Sequence, residues 1–201
     1  MKNKCLINFL LFAGFLLFLQ VNIFSFSFNA SARSAAVIND EEKRSLEHIT
    51  EEVKLARDFA VLMGSKHNSD FFNKIGETKQ SDLDKLKDIL ESKNIDDPVK
   101  NDESGIYKSD NFTDLYKGFT ESGNTNISNA LKAGAEISEL QISDCNKFLN
   151  IATDQEIKDI FSLIKKNSEK NLKSYINQLS QKGIGYIPKH LTSEDFNKIL
   201  N

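Results

Sequence analysis

The sequence predicts an all-α protein: a bundle of four long helices with short helices in the connections, preceded by an amino-terminal apolar segment. Three observations predict it. Leu46, Ile49, Val53, Ala56, Ala60 and Met63 recur at alternating steps of three and four, which puts them on one stripe of an α-helix with charges on the opposite side. Such a stripe needs partner helices to cover it, and three downstream segments carry stripes of the same spacing. Only two prolines and nine glycines interrupt the 201 residues, and no useful stretch shows the period of two that marks a half-buried strand.

The chain starts with Lys2 and Lys4, an apolar run from Leu6 to Phe28, and then Asn29-Ala30-Ser31-Ala32-Arg33. A basic start, an apolar stretch and an Ala-x-Ala ending is the layout of a secretory signal peptide, with cleavage expected after Ala32. The alternative is an uncleaved membrane anchor over residues 6–28, which at ~1.5 Å per residue is long enough for a bilayer. Gln20, Asn22 and the serines in its second half favour cleavage. The expected organisation is therefore a signal peptide or anchor at 1–32, a tether at 33–39 and a helical domain at 40–201. The mature protein is expected to be secreted or periplasmic, touching a membrane only through the amino-terminal segment if that segment is uncleaved.

The formal net charge is −3, and lysines alternate with acidic residues as on solvated helix faces. No basic stripe suggests a nucleic-acid partner. Cys5 and Cys145 lie far apart, and Cys5 falls in the leader, so no disulfide is expected within one chain. A lipid-modified cysteine would follow the apolar run, whereas Cys5 precedes it.

Asn39 or Asp40 suits the first N-cap, with Glu41 and Glu42 in the first turn, and the helix is expected to end near Met63 at Gly64-Ser65. The second helix covers roughly Phe71 to Ser92, with Phe72, Ile75, Lys79, Asp82, Leu86 and Ile89 on its stripe. Two charges thus stand where apolar residues are the default. A polar break from Asn94 to Asp102 follows, then a short helix from Asp110 to Phe119. The third long helix spans Ile127 to Gln141, with Leu131, Gly134, Ser138 and Gln141 inward, Ser128 as its cap and a break expected before Ile142. Thr153 with Glu156 matches a capping box for the fourth, whose stripe is Ile157, Phe161, Ile164, Ser168, Asn171, Tyr175 and Leu179. An extended tail, Gly185 to Leu191, leads to a final turn from Glu194 capped by Thr192 or Ser193.

Several segments resemble one family in order: Glu51-Glu52-Val53-Lys54-Leu55-Ala56-Arg57-Asp58, Ala130 to Leu140, and Gly185-Tyr186-Ile187-Pro188 followed by Leu191 to Phe196. They are similar to the ferritin-like bacterial and archaeal family catalogued as domain of unknown function 2202. The resemblance implies a ferritin-like four-helix bundle in which inward carboxylates and histidines hold a metal pair. It also implies where those ligands belong. The family carries Glu at Val53, Glu-x-x-His at Lys79 and Asp82, Glu at Ser138, Asp at Gln141 and His at Asn171. Only Asp82 remains a good ligand here, so metal-centred activity is not carried over.

Lys79 and Asp82, three residues apart, are neighbours on one helix face. Lys79 either fills the old metal volume as a fixed cation, paired with Asp82 and with Glu52 or Glu139, or reaches solvent from a slightly rotated helix. Glu51, Glu52, Glu77, Glu136 and Glu139 read as solvated. A register shift would instead turn some inward, giving a residual site of Glu52, Asp82 and Glu139 for a divalent cation such as Fe, Mn, Mg or Ca. His48, His67 and His190 have no metal-ligand spacing to one another and suit surface or capping roles. Cys145 suits packing, and Ser138 and Ser168 lack a nearby His and Asp for nucleophilic chemistry.

Two functions remain in view. One is a non-catalytic extracytoplasmic bundle, a binding or structural module with a degenerate di-metal site and no expected cofactor. The other is a metal-binding bundle with a reduced carboxylate site.

Overall fold

The structure, a computed structural model, describes residues 38–201. The expected leader at 1–32, the cleavage site at Ala32, the anchor at 6–28 and nearly all of the tether lie outside the described residues. Among the described residues there are six helices and no strand: α1 (Asp40–His67), α2 (Asp70–Ser92), α3 (Asp110–Gly123), α4 (Ile127–Ile151), α5 (Gln155–Gln181) and α6 (Ser193–Leu200). None of them is long and apolar enough to cross a membrane.

The four long helices form a square in the order α1, α2, α5, α4. Side-chain pairs fix their directions. His48 meets Asp144 and the Glu52 carbonyl meets Gln141 across α1 and α4, while Lys79 meets Ser168 and Lys93 meets Asp154 across α2 and α5. All neighbours are therefore antiparallel, and α2 and α4 point the same way from opposite corners. Residues 93–126 must travel the length of the bundle to join them. This crossover carries α3, which packs on α1 and α4.

Local chemistry sets the helix ends, with some departures from expectation. Asn39 caps α1 by accepting from the Glu41 and Glu42 amides, and the Glu42 carboxylate returns to the Asn39 amide. The helix does not stop at Gly64. A Cβ there would lie 2.0 Å from Asn73 Oδ1, so this glycine permits close approach of α2. The stop falls at Asn68, in the left-handed region at φ 47°. Helix α4 has no break after Gln141, because Ile142 and Cys145 extend its buried face, and its cap is Asn126 rather than Ser128. The cap of α5 is Asp154 rather than Thr153. The Thr153 amide and hydroxyl and the Asp154 amide instead donate to Glu42, tying the starts of α5 and α1 together. Gly134 lies against Tyr175 of α5, where a Cβ would meet the ring at 2.3 Å.

The apolar interior is divided. One cluster holds Leu46, Ile49, Val53, Leu83, Leu86, Cys145, Phe161 and Ile164; the other holds Leu55, Phe59, Met63, Phe72, Ile75, Leu131, Leu172 and Tyr175. On α2 and α5 the boundary falls near the middle and is polar, at Lys79 and Asp82 and at Ser168 and Asn171; on α1 it lies between Val53 and Leu55, and on α4 between Ile142 and Cys145.

Glu42 offers a test of how the ends are held. Burial pushes its carboxyl up, but hydrogen bonds from Asp154, Thr153 and Asn39 outweigh that and hold it below its ordinary value of 4.5. A depressed folded value contributes stability above the ordinary value, and that stability is lost as pH falls through the depressed one. Glu42→Gln is expected to cost about 2 kcal/mol at pH 7. In urea unfolding followed by circular dichroism, the gap to wild type should close below pH 4.5.

Candidate functional site

A polar layer crosses the bundle, built from side chains of α2, α4 and α5 and a backbone carbonyl of α1. Lys79 of α2 is 1% exposed, and its Nζ donates to Ser168 Oγ at 3.0 Å and to Asp82 Oδ2 at 3.4 Å. Asn167 Nδ2 donates to the other Asp82 oxygen at 2.7 Å. Ser168 Oγ donates to Gln141 Oε1 at 2.8 Å, and Gln141 Nε2 donates to the Glu52 carbonyl at 3.1 Å. One chain of hydrogen bonds thus joins α5, α2, α4 and α1. Burial pushes the Lys79 ammonium below its ordinary pKa, and the Asp82 carboxylate opposes that shift.

All six positions where the resemblance places ligands are buried: Val53, Lys79, Asp82, Ser138, Gln141 and Asn171. The residues there do not fit a metal pair. Val53 has no donor atom. Lys79 brings a positive charge. Both Asp82 oxygens are already held, Ser138 Oγ donates to the Gly134 carbonyl at 2.9 Å, and both ends of the Gln141 amide are used. Asn171 is a neutral amide whose Nδ2 is buried without a partner, and it brings no charge to balance a metal ion.

Glu52, Asp82 and Glu139 have separate surroundings. Glu139 turns to the carboxy-terminal tail: its Oε2 accepts the amides of Lys189, His190 and Leu191 at 2.9, 2.9 and 3.1 Å, and its Oε1 accepts the Tyr186 hydroxyl. Burial and this carboxylate push the Tyr186 phenol well above its ordinary range. Asp82 belongs to the Lys79 layer. Glu52 is 3% exposed, and its Oε2 is buried with no hydrogen-bond partner. Burial drives the Glu52 carboxyl well above its ordinary value, the Asp144 carboxylate adds to the shift, and Lys79 partly offsets it.

The expectation of a solvated charged face on α1 is corrected. Every residue from Ile49 to Ala60 is buried, because the crossover covers the face away from the bundle. Glu51 accepts the Ser109 amide at 2.9 Å. Lys54 is wholly buried. It pairs with Asp58, donates to the Glu103 carbonyl at 2.8 Å and lies 4.5 Å from the Tyr107 ring centroid. Asp58 also accepts from the Gly105 amide and the Tyr107 hydroxyl, and Arg57 bridges Asp58 to Asp102. Glu77 is exposed as expected, and Glu136 is partly covered by Lys189 and His190.

His48 is partly exposed, and it is also held by the fold. Its ring sits between Phe112 and Phe148, with centroids 5.0 and 5.4 Å away, and its Nε2 is 3.0 Å from Asp144 Oδ2. Glu52, one turn further along α1, completes a group whose ligand atoms lie within 4.8 Å of one another. The i, i+4 spacing of His48 and Glu52 was the available signal; Asp144 had none. Of the other two histidines, His67 contacts the Gly123 carbonyl at 2.8 Å and His190 lies in the tail. Cys145 is buried, and burial pushes its thiol up, away from nucleophilic use.

The Lys79 layer makes a sharp prediction. Lys79→Met removes the buried cation and leaves Asp82 short of its partner, at an expected cost of about 3 kcal/mol in urea unfolding. Adding Asp82→Leu removes the stranded charge, and the double variant should recover at least about half of that loss. A neutral Lys79→Met would show that the ammonium does not hold the layer.

A family model described as "Uncharacterized protein domain (DUF2202)" matches residues 42–201. The uncharacterized protein MJ0754 of Methanocaldococcus jannaschii is 35% identical over 164 residues, which cover 82% of this chain and 89% of that protein. The crystal structure of the hypothetical protein MJ0754 from Methanococcus jannaschii aligns with a TM-score of 0.80 at 35% identity, over 81% of this chain and 93% of that one. Because the family match spans the whole described bundle apart from its first residues, the chain belongs to the DUF2202 family.

Proposed function

We propose that this protein is an extracytoplasmic, ferritin-like helical bundle whose centre has exchanged a metal pair for a fixed internal cation, and that it works as a non-catalytic binding or structural module. One observation carries the reading: the Lys79 ammonium is buried at mid-bundle, tied to Asp82 and Ser168 in a network that reaches all four long helices. An ammonium there repels a divalent ion. At a separation of about 4 Å, unit charges interact by about 4 kcal/mol at the dielectric typical of such sites, and a divalent ion doubles that. The network also uses the carboxylate and amide oxygens that would otherwise bind the ion. The extracytoplasmic placement rests on the basic, apolar and Ala-x-Ala pattern of residues 1–32.

Iron loading tests the reading. Purified full chain mixed with Fe(II) in air should oxidise it no faster than protein-free buffer, and the loaded chain should hold no pair of ions by elemental analysis. Two ions per chain, or an accelerated oxidation that Asp82→Ala abolishes, would overturn it.

A further inference from the structure

We propose a divalent-cation site outside the central layer, formed by His48 and Glu52 of α1 and Asp144 of α4. The three side chains each offer one ligand atom, and these atoms lie within 4.8 Å of one another. Ligands at ~2.1 Å from a metal are roughly 3 Å apart when adjacent and roughly 4.2 Å apart when opposite, so small side-chain shifts close the group around one ion. The His48–Asp144 contact is already at the adjacent spacing, 3.0 Å.

Proximity alone would not distinguish this group from an ordinary ion pair. The Glu52 carboxylate does. It is 97% removed from solvent, its Oε2 has no hydrogen-bond partner, and one of its oxygens belongs to the group. A buried carboxylate without donors is costly, and native interiors rarely keep one. Lys79, whose charge partly offsets the Glu52 shift, is committed to Asp82 and Ser168. A divalent ion would give Glu52 the counter-charge that no described residue supplies by direct contact.

The surroundings are prepared for such an ion. Phe112 and Phe148 grip the His48 ring on two sides and fix the direction of its Nε2. Lys147 donates to Asp144 Oδ1 at 2.7 Å and leaves Oδ2 directed to His48. The His48 side chain is 38% exposed, which gives the ion a path from solvent and room for water ligands. Charge is balanced by two carboxylates and a neutral imidazole around a doubly charged ion. One nitrogen and two oxygens suit Zn(II), Fe(II) or Mn(II), whereas Ca(II) and Mg(II) favour oxygen alone.

This site uses none of the six ligand positions implied by the family resemblance, and its test is independent of iron oxidation. The full chain, stripped with EDTA and dialysed, is titrated with ZnCl2 and separately with MnCl2 by calorimetry. One ion per chain is expected. Glu52→Gln and His48→Gln should each weaken binding at least about tenfold, whereas Glu77→Gln, an exposed carboxylate on α2, should change it less than twofold. Glu52→Gln is near-isosteric, and its circular dichroism spectrum should match wild type. In protein labelled with 15N-histidine, one ring nitrogen assigned to His48 should shift with Zn(II) and broaden with Mn(II). Absence of binding at millimolar metal, binding unaffected by both ligand variants, or a His48 signal that does not respond would overturn the proposal.

Discussion

A buried ammonium group constrains the middle of this bundle. Lys79 cannot be left without partners, because an unpaired charge in an apolar interior costs several kcal/mol. Asp82, one turn away on the same helix, supplies the counter-charge, and Ser168 supplies an oxygen from across the bundle. Ser168 must then place its own proton, and Gln141 accepts it. Each satisfied group thus fixes the next, until the chain of bonds reaches the backbone of α1. Apolar packing tolerates sliding by fractions of an ångström, but a hydrogen-bonded chain does not. The layer therefore sets the axial register of four helices whose two apolar clusters would otherwise specify it weakly.

A second constraint acts outside the square. The crossover has to run the full length of the bundle, and it follows the outer face of α1. That face carries Glu51, Lys54, Arg57 and Asp58, which become buried once covered. The crossover in return supplies what those charges need: the Ser109 and Gly105 amides, the Glu103 carbonyl, the Tyr107 hydroxyl and ring, and Asp102. The connection is thereby anchored by polar matching in addition to the apolar contacts of Ile95, Val99 and Phe112. Together the inner layer and the outer cover make α1 the most enclosed helix, with charge on both sides of an apolar stripe.

Much of this was legible from spacing. The four stripes located the long helices, and the six inward positions from Val53 to Asn171 are all buried. Periodicity reports which face of a helix is apolar, so it also identified Lys79 and Asp82 as charges on a buried face. It could not report that the polar face of α1 would be covered too, because the cover comes from residues some fifty positions away. The pairing of His48 with Asp144 spans 96 residues and depends on the α1–α4 register, which no local pattern encodes. Gly64 misled for a related reason: a glycine ends a helix or admits a neighbour, and only the position of Asn73 decides between them. Glu139 looked like one more surface carboxylate because three of its four partners are backbone amides, which leave no mark in a sequence.

The capture of the tail by Glu139 has a consequence for the order of assembly. Its four donors come from Tyr186 to Leu191, about fifty residues downstream. A chain emerging from the ribosome presents α4 and most of α5 before those donors exist. The two helices can pair early, but the carboxylate at their side stays hydrated until the tail arrives. Final desolvation of this edge is thus deferred to the end of synthesis. A chain stalled before Tyr186 would hold a hydrated carboxylate where the finished protein is dry.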